Sequence, residues 1–280
     1  MALSIHTNYS ALTTNTALNK SNNSLATNQQ RLGTGLRINS AADDAAGLQI
    51  ATRLNAQSRG MSVAMRNVGD ATSMLQTAEG AFSEVTDILQ RMKDLSTQAA
   101  NDTNGVSDRT SLKSEYDELG KELVNIVNNT KYAGEALFAA GGKFAAAVNF
   151  QIGASAAEKL TMDVTADMTA LRTELTTTVQ AGTMDTAANA GTTITTLETA
   201  LNNVGSMRAK FGANINRLNH TSNNLANMKD NTDMAKGRIM DADFAIESAN
   251  MSKNSMLMQS GISMLKQAGQ MPGMVMGLLG

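Results

Sequence analysis

The sequence contains no cysteine, no tryptophan and a single proline, Pro272, among its 280 residues. Without cysteine there is neither a disulfide framework nor a thiolate site, so a zinc centre would need other ligands. Aromatic residues make up 3% of the chain and charged residues 17%, with a formal net charge of −2. Because nucleic-acid binding calls for a basic stripe or stacking aromatic rings, this composition argues against that class of function.

Long apolar runs are also missing. The best candidate, residues 261–280, is interrupted by Lys266, Gln267, Gln270 and Pro272, whereas a membrane-spanning helix needs about 20 apolar residues in succession. Residues 1–9 have neither the basic segment nor the apolar segment of a cleavable secretory signal. We therefore expect no membrane contact, and we expect that an exported protein of this sequence would leave the cell by another route.

Few side chains are suited to chemistry. The two histidines, His6 and His220, lie far apart in the sequence, and no zinc-protease, serine-hydrolase or phosphate-loop motif is present. The histidines could form a ligand pair, but neither has a metal-type spacing to another ligand, which favours solvated or interface side chains. We predict that the protein is not an enzyme and has no catalytic residue, cofactor or metal.

Two groups of carboxylates have two possible uses. Asp241, Asp243 and Glu247 could bind a hard cation or could cap a helix and pair with a neighbouring subunit, and Asp43 and Asp44 allow the same two interpretations. The spacing lacks the glycine and the ligand number of a calcium loop. Because acidic residues are common at helix starts, we favour capping and pairing.

Apolar residues recur at every seventh position near both ends of the chain. The N-terminal series is Leu54, Met61, Val68, Leu75, Phe82 and Leu89, and the C-terminal series is Leu197, Val204, Phe211, Leu218 and Leu225. A seven-residue repeat is typical of long helices that pack along their length. Six such positions span roughly 54 Å of helix at about 1.5 Å per residue. We predict that each series is buried against the other.

Residues 1–39 are polar, but Leu18, Leu25 and Leu32 keep the same spacing. Low helix propensity and sparse apolar content predict a helix that is disordered alone and orders on a partner. A long helix is expected from Ser40 onward and should end in the turn-forming residues 101–105. A shorter helix, capped by Ser107 or Asp108, should then fold back on it and end near Asn129.

The period changes in the middle of the chain. Two short series alternate with smaller residues and predict a β-hairpin: Phe144, Ala146, Val148 and Phe150, followed by Leu160, Met162 and Val164. Residues 166–193 are rich in Ala, Thr and Gly, and only Leu171, Leu175 and Val179 indicate a short helix. We expect this segment to be a surface-exposed connector.

The C-terminal helix should run from Ile194 to about Lys236, and a new helix capped by Asp241 or Asp243 should follow. Seven of the 19 methionines lie in the last thirty residues. Such a tail could be a membrane-active helix, a segment bound by a chaperone or another partner, or a buried layer of an assembly. Since a basic polar face is missing, we favour the assembly, with Met256, Leu257 and Leu265 in its interface.

Several segments resemble those of a known family. Residues 31–52, which read RLGTGLRINSAADDAAGLQIAT, closely resemble the N-terminal signature of bacterial flagellins. Residues 238–247, RIMDADFAIE, with 250–253, NMSK, are similar to the C-terminal signature, and 267–272, QAGQMP, to the end of that family. Residues 129–132 and 150–153 are similar to stretches that flank the flagellin hairpin. The resemblance covers about 1–165 and 194–280.

The resemblance implies a mainly α fold: a long antiparallel helical rod with coiled-coil terminal arms plus a small β-hairpin. It implies an N-terminal arm at 1–39, a rod domain formed by 40–165 and 194–240, a short variable connector at 166–193 and a C-terminal arm at 241–280. In flagellins the arms are unfolded in the monomer and form an inner tube on assembly. On this basis the residues of the assembly interface would be the following: Arg31, Asp43, Asp44, Asp241 and Asp243, together with Leu18, Leu25, Leu32, Met256, Leu257 and Leu265.

The resemblance also implies function and partners. The chain would be a secreted structural subunit that polymerises with itself into the extracellular flagellar filament for motility, after type III export. Its partners would be hook-associated and cap proteins, an export chaperone on the C-terminal segment and the innate receptor TLR5. The receptor contact carries over to Gln90, Arg91, Leu95, Gln98 and Glu115 here, although Lys93 and Asp94 depart from the motif. The same residues could instead lie on the contact face between protofilaments, and we favour that interpretation.

Three other identities remain open at this point. The first is a hook–filament junction protein of the same export system, which shares terminal helical arms but does not propagate a filament. The second is a signalling coiled coil, which would need an uninterrupted helical hairpin, so the predicted β-hairpin argues against it. The third is a flagellin with an inserted protease, for which the insertion is too short.

Overall fold

The computed structural model describes the backbone of residues 7–279 and the side chains as far as Gln270. The described part of the chain is mainly helical, with two small antiparallel hairpins. The helices are α1 (Tyr9–Thr34), α2 (Ala45–Ala99), α3 (Val106–Asn129), α4 (Thr165–Thr173), α5 (Ala187–Met240) and α6 (Phe244–Leu279). The strands are β1 (Lys131–Tyr132), β2 (Glu135–Ala136), β3 (Val148–Gln151) and β4 (Lys159–Met162).

The chain forms two compact units. The central unit comprises Ser58–Lys229, and the terminal unit comprises the described residues before Ser58 and after Lys229. The division therefore falls inside α2 and α5 rather than at a loop. The predicted segment bounds at 39/40, 165/166, 193/194 and 240/241 concern roles in assembly and stay predictions.

The core of the central unit contains both seven-residue series. From Met61 to Leu89 and from Leu197 to Leu225, every member is buried, while Leu54 in the terminal unit is half-buried. α2 and α5 run antiparallel, since Glu79 pairs with Arg208 at 2.7 Å and Lys93 with Glu198 at 2.9 Å. The prediction that the two series are buried in one core is confirmed.

The third helix of the central unit, α3, folds back on α2. Arg109 at its start donates to the Ala99 carbonyl at 2.9 Å, and Tyr116 and Leu123 are fully buried in the shared core. The predicted caps of α3, Ser107 and Asp108, are wrong. Gly105 is the N-cap residue, and Asp108 accepts from the Gly105 amide at 3.0 Å from within the first turn.

Other helix bounds also differ from the prediction. α2 begins at Ala45 instead of Ser40, because Asp43 holds residues 39–43 in a turn through the Asn39 and Ser40 amides. α5 begins at Ala187, seven residues before Ile194, where Asp185 and Thr186 hydrogen-bond Asn189 in its first turn. Local side-chain hydrogen bonds thus set both helix starts.

The predicted hairpin is present as β3 and β4, paired from Val148 opposite Met162 to Gln151 opposite Lys159. Its tip lies on α2, where a Cβ on Gly60 would be 2.6 Å from the Ala154 Cβ. Phe144 was predicted to lie in the first strand, but it lies in a 3₁₀ turn over Lys143–Ala145 and is fully buried. Four phenylalanines meet there, with ring centroids 4.7–6.0 Å apart: Phe82, Phe138, Phe144 and Phe211.

The second hairpin, β1 with β2, was missed. Its turn residues Ala133 and Gly134 have φ of 49° and 87°, which is the backbone of a tight hairpin turn. Strands of two residues carry no detectable alternation, so the sequence offered only the Ala-Gly pair as a signal.

The segment after β4 is not a surface-exposed connector. It forms α4 and a π-helical turn over Glu174–Val179, with Met168, Leu171 and Leu175 buried in the core. Tyr116 donates from its hydroxyl to the Val179 carbonyl at 2.6 Å, which ties this segment to α3. The prediction of an exposed connector failed because the apolar residues, at spacings of three and four, are few among the many Thr and Ala residues of this segment.

Truncating the central aromatic cluster should destabilise the monomer. Phe211→Ala removes a fully buried ring and should lower the free energy of unfolding by about 3–5 kcal/mol. Urea unfolding of the monomer, followed by circular dichroism, measures the loss. Phe244→Ala, at a ring that is 68% exposed, is the control and should change stability by less than about 0.5 kcal/mol. Equal effects of the two substitutions would contradict this description of the core.

The start of α4 should respond to acid. The pKa of Asp163 lies below its ordinary 3.8, because its carboxylate accepts from the Thr165 amide and hydroxyl. A lowered folded-state pKa adds stability that is present above 3.8 and lost as the pH falls through the folded value. In an NMR titration of the monomer, the Thr165 amide should shift with a midpoint below 3.8. Asp163→Asn should abolish this shift, and a midpoint above the ordinary value would contradict the hydrogen bonds between Asp163 and Thr165.

Candidate assembly interface of the terminal unit

The terminal unit is built on one pair of helices, α1 and α6, that pack antiparallel. Near one end of the pair, the Asn8 side chain donates to the Ala268 carbonyl at 2.7 Å. Further along, a Cβ on Gly261 would be 3.1 Å from Leu18 Cδ1. At the other end, Arg31 Nη1 lies 3.1 Å from Glu247 Oε1. As the numbers rise along α1 they fall along α6, which establishes the direction.

The two helices meet along a seam that follows the spacing of a coiled coil. Its residues are buried or half-buried and alternate at intervals of three and four. On α1 they are Ala11, Thr14, Leu18, Ser21, Leu25, Asn28 and Leu32, and on α6 they are Glu247, Met251, Asn254, Met258, Gly261, Leu265 and Ala268. Of the predicted interface residues, Leu18, Leu25, Leu32 and Leu265 lie in this seam within one chain.

The seam ends in a polar cluster. Glu247 and Asn28 are each 7% exposed, and Glu247 pairs with Arg31 across the seam. Among the described residues, three buried atoms of this cluster make no hydrogen bond: Asn28 Nδ2, Arg31 Nε and Glu247 Oε2. A buried charge pair is costly unless its remaining polar atoms are satisfied, so the cluster is not explained by stability alone.

Beyond the polar cluster, backbone hydrogen bonds join the two connections that precede α2 and α6. The Arg37 amide donates to the Met240 carbonyl at 2.7 Å, and the Ala242 amide to the Gly35 carbonyl at 3.0 Å. The Arg37 guanidinium adds a bond to the Ile239 carbonyl at 2.9 Å. We call this set of bonds the clasp. Gly35 closes α1 with a φ of 71°, a conformation that glycine adopts without strain.

The predicted acidic residues act locally. Asp44 caps α2 by accepting from the Gly47 amide, and Asp243 caps α6 by accepting from the Ala245 and Ile246 amides. Asp43 accepts from Ser40 and Asn39, and these hydrogen bonds lower its pKa. Asp241 is exposed beside the clasp. Among the described residues, no group of three His, Cys, Asp or Glu could hold a metal ion.

The outer surface of the terminal unit carries many exposed apolar side chains. On α6, Phe244 is 68% exposed, Leu257 48% and Met264 60%, and on α1, Tyr9 is 65% and Leu12 60% exposed. Met256, also predicted in the interface, is 65% exposed. Among the described residues of this unit, the buried apolar side chains are only Ile38, Ala51 and Ala268. The helix pair therefore leaves most of its apolar surface in water.

The residues predicted to contact a receptor lie on the central unit. Arg91 on α2 donates from Nε and Nη2 to Glu115 Oε1 on α3, at 3.0 and 2.5 Å, and both side chains are about half exposed. Gln90 and Gln98 are exposed. Leu95 is 2% exposed and belongs to the core, so its side chain is not part of that surface. The sequence could have identified Leu95 as a core residue, since it follows Met92 and Leu89 at intervals of three.

The sequence did not identify every residue that contributes to the α1–α6 contact. The sequence analysis placed Arg31 in an interface and Glu247 in an acidic cluster, but it did not pair them across 216 positions. Asn8, Asn28 and Arg37 were missed altogether, because nothing distinguishes them from the many other polar residues of this segment. His220 is exposed on α5, and His6 lies outside the described residues.

Models of known families match both ends of the chain. One described as the bacterial flagellin N-terminal helical region matches residues 5–142, and one described as the bacterial flagellin C-terminal helical region matches 194–279. Flagellin A of Vibrio anguillarum is 36% identical to this chain, and polar flagellin C of Vibrio parahaemolyticus is 34% identical, with 100% of both chains covered in each case. The alignment with flagellin A has 383 positions, which is 103 more than the 280 residues of this chain.

Two solved structures are similar as well. The crystal structure of Bacillus cereus flagellin has a TM-score of 0.50 at 34% identity and covers 57% of this chain and 88% of that chain. A putative flagellar hook-associated protein from Vibrio parahaemolyticus has a TM-score of 0.58 at 16% identity and covers 71% of this chain and 100% of that chain. At such low identity, the second similarity shows a shared fold alone. None of the described helices combines the length and the apolar composition that a transmembrane helix requires.

Proposed function

The chain belongs to the bacterial flagellin family and is a structural subunit of the extracellular flagellar filament, and we propose that it assembles by coupled folding of its terminal helices. Residues 7–39 and 241–279 are disordered in the monomer and become helical against neighbouring subunits. The observation that carries this proposal is the composition of the terminal unit. Of the three buried apolar side chains among the described residues of this unit, only Ala268 lies on α1 or α6, and a helix pair that buries so little apolar surface cannot offset the entropy of ordering it.

The proposed partner of the exposed apolar surface is a different patch on the terminal helices of other copies. Copies that associate through unlike patches form an open helical polymer instead of a closed ring. The exposed α6 residues Phe244, Leu257, Ile262 and Met264 become buried between subunits. Each fully buried side chain of this type contributes about 1.5–3 kcal/mol, which offsets the cost of folding the arms.

The length of the chain supports a small filament subunit. Flagellin A of Vibrio anguillarum has 103 alignment positions opposite gaps in this chain, and neither family model matches residues 143–193. We propose that residues 166–193, within this part, stand in place of a variable outer domain. Here α4 and the β3–β4 hairpin cover the core of the central unit and shield it from solvent.

The remaining partners follow from the same surfaces. Before export, the exposed apolar residues of α6 would bind a flagellar export chaperone, which keeps the segment from aggregating and delivers it to type III export. Hook-associated and cap proteins would contact the two ends of the polymer. The putative hook-associated protein with the same fold supports this, since an equivalent subunit can continue the packing.

Charge placed on the outer side of α6 should block assembly. Leu257 and Met264 are seven residues apart on one side of the helix, so Leu257→Asp and Met264→Asp each put a carboxylate where we propose contact with a neighbour. Each should reduce the polymer that sediments after salt-induced assembly by at least about tenfold, since burying an unpaired charge costs several kcal/mol. The stability of the monomer should not change.

Gln259→Asp is the matched control for these substitutions. Gln259 is exposed on the opposite side of the same helix, so its substitution introduces the same charge and a similar loss of helix propensity. Normal polymer from Leu257→Asp and Met264→Asp would refute the proposed interface. Gln259 lies three residues from Met256 and from Ile262, so equal losses in all three variants would show that the loss of assembly does not depend on the side of α6 that carries Leu257 and Met264.

We also propose that the exposed pair Arg91 and Glu115, with Gln90 and Gln98, forms a surface that TLR5 recognises. Arg91→Ala should lower receptor activation by the monomer in a reporter assay by about tenfold, as is common for an arginine at the centre of an interface. Because an exposed ion pair contributes about 0–1 kcal/mol, the fold should remain stable. Arg66→Ala, at an exposed arginine of the same helix, is the control, and equal activation by both variants would argue against this surface.

A further inference from the structure

The apolar part of the α1–α6 seam does not by itself fix how the two helices are aligned. Leu18, Leu25 and Leu32 repeat every seven residues, and Met251, Met258 and Leu265 do the same on α6. If one helix slides by seven residues, about 10 Å at 1.5 Å per residue, each heptad series of α1 again meets the same series of α6. Coiled coils with such repeats need another feature to select one register.

The polar cluster at the end of the seam breaks this repetition. Arg31 and Glu247 meet at 3.1 Å, with Glu247 7% exposed and the Arg31 side chain 28% exposed. A slide of seven residues would separate the two charges by about 10 Å and leave the buried carboxylate without its cation. Such an uncompensated buried charge is strongly unfavourable. Asn28, one turn before Arg31, places a buried amide at a seam position, which is a recognised way of fixing register.

We infer that Arg31, Asn28 and Glu247 select the register in which α1 pairs with its α6. The inference rests on the proposed function, since the helix pair is used in the filament. The cluster is a positioning device: it excludes pairings displaced by a heptad, and its unbonded polar atoms show that it is not optimised for stability. A pair of leucines at the same positions would pack at least as favourably and would accept several registers.

The clasp is the competing explanation. Its backbone bonds between Arg37 and Met240 and between Ala242 and Gly35 also join the two connections. These bonds form between main-chain atoms, and they do not depend on the side chains of the seam. If the clasp alone determines the alignment, removing the charges of the cluster should leave a single register.

Engineered disulfides can report the register, because the native chain has no cysteine. Leu18→Cys with Gly261→Cys reports the observed register, since Leu18 Cδ1 lies 3.1 Å from where a Gly261 Cβ would be. Leu18→Cys with Ala268→Cys, and Leu18→Cys with Asn254→Cys, report slides of one heptad in the two directions. Full-length chains are polymerised, oxidised and digested, and intramolecular disulfides are quantified by peptide mass spectrometry.

Each cysteine pair is placed in three backgrounds: the native cluster, the neutral pair Arg31→Met with Glu247→Met, and the exchanged pair Arg31→Glu with Glu247→Arg. With the native cluster, the 18–261 disulfide should exceed each displaced one by at least about tenfold. In the neutral background, the displaced disulfides should rise to a comparable yield. In the exchanged background, the preference should return.

The outcomes separate the inference from the proposed function. Polymer yield is measured by sedimentation before oxidation, and failure of the native-cluster chains to polymerise would count against the proposed function alone. A single register in the neutral background would overturn the inference in favour of the clasp. If the neutral chains do not polymerise but the exchanged chains do, the pair is required in either orientation and the inference holds. Loss of polymer in both backgrounds would overturn it.

Discussion

When two helices pack together, each can bury the side chains of only one of its faces. The terminal unit is built on one such pair, α1 and α6. The seam between α1 and α6 takes up the side chains of one stripe, and even these are mostly half-buried. The remaining apolar residues of α6, among them Phe244 and Met264, face outward. A helix pair with this distribution would be covered by further helices, and we propose that in the filament those helices come from other copies. The other features of the molecule follow from this requirement.

The central unit satisfies the opposite requirement, because it has to be stable before assembly. Three helices share one core there, and both seven-residue series are buried in it. The four phenylalanines of the cluster join α2 and α5 to the segment after α3. α4 and the β3–β4 hairpin cover the rest of the core, so the unit is closed without a large inserted domain. Under the proposed function, the central unit is folded in the monomer and the terminal helices fold on assembly.

The accuracy of each prediction depended on how many residues the sequence pattern behind it spans. The series through Met61 and Leu89 spans many helical turns, so the helices and their mutual burial were predicted well. Helix starts were predicted less well, since Asp43 and Asp108 act from turns whose geometry one sequence does not specify. Residues 165–184 were misjudged because the buried Met168 and Met184 lie among Thr and Ala and were not recognised. In the site, periodicity located Leu18 and Leu265, whereas the pairing of Arg31 with Glu247 depends on the register of distant segments.

Hydrogen exchange on monomer and filament tests the central claim most directly. If the terminal helices fold on assembly, amides of α1 and α6 should exchange in the monomer close to the rate of an unstructured chain, while those of α2 and α5 within the central unit are strongly protected. In the filament, both terminal helices should gain protection of at least about a hundredfold. Strong protection of α1 and α6 in the monomer would show that the helix pair is stable by itself, and it would contradict the account.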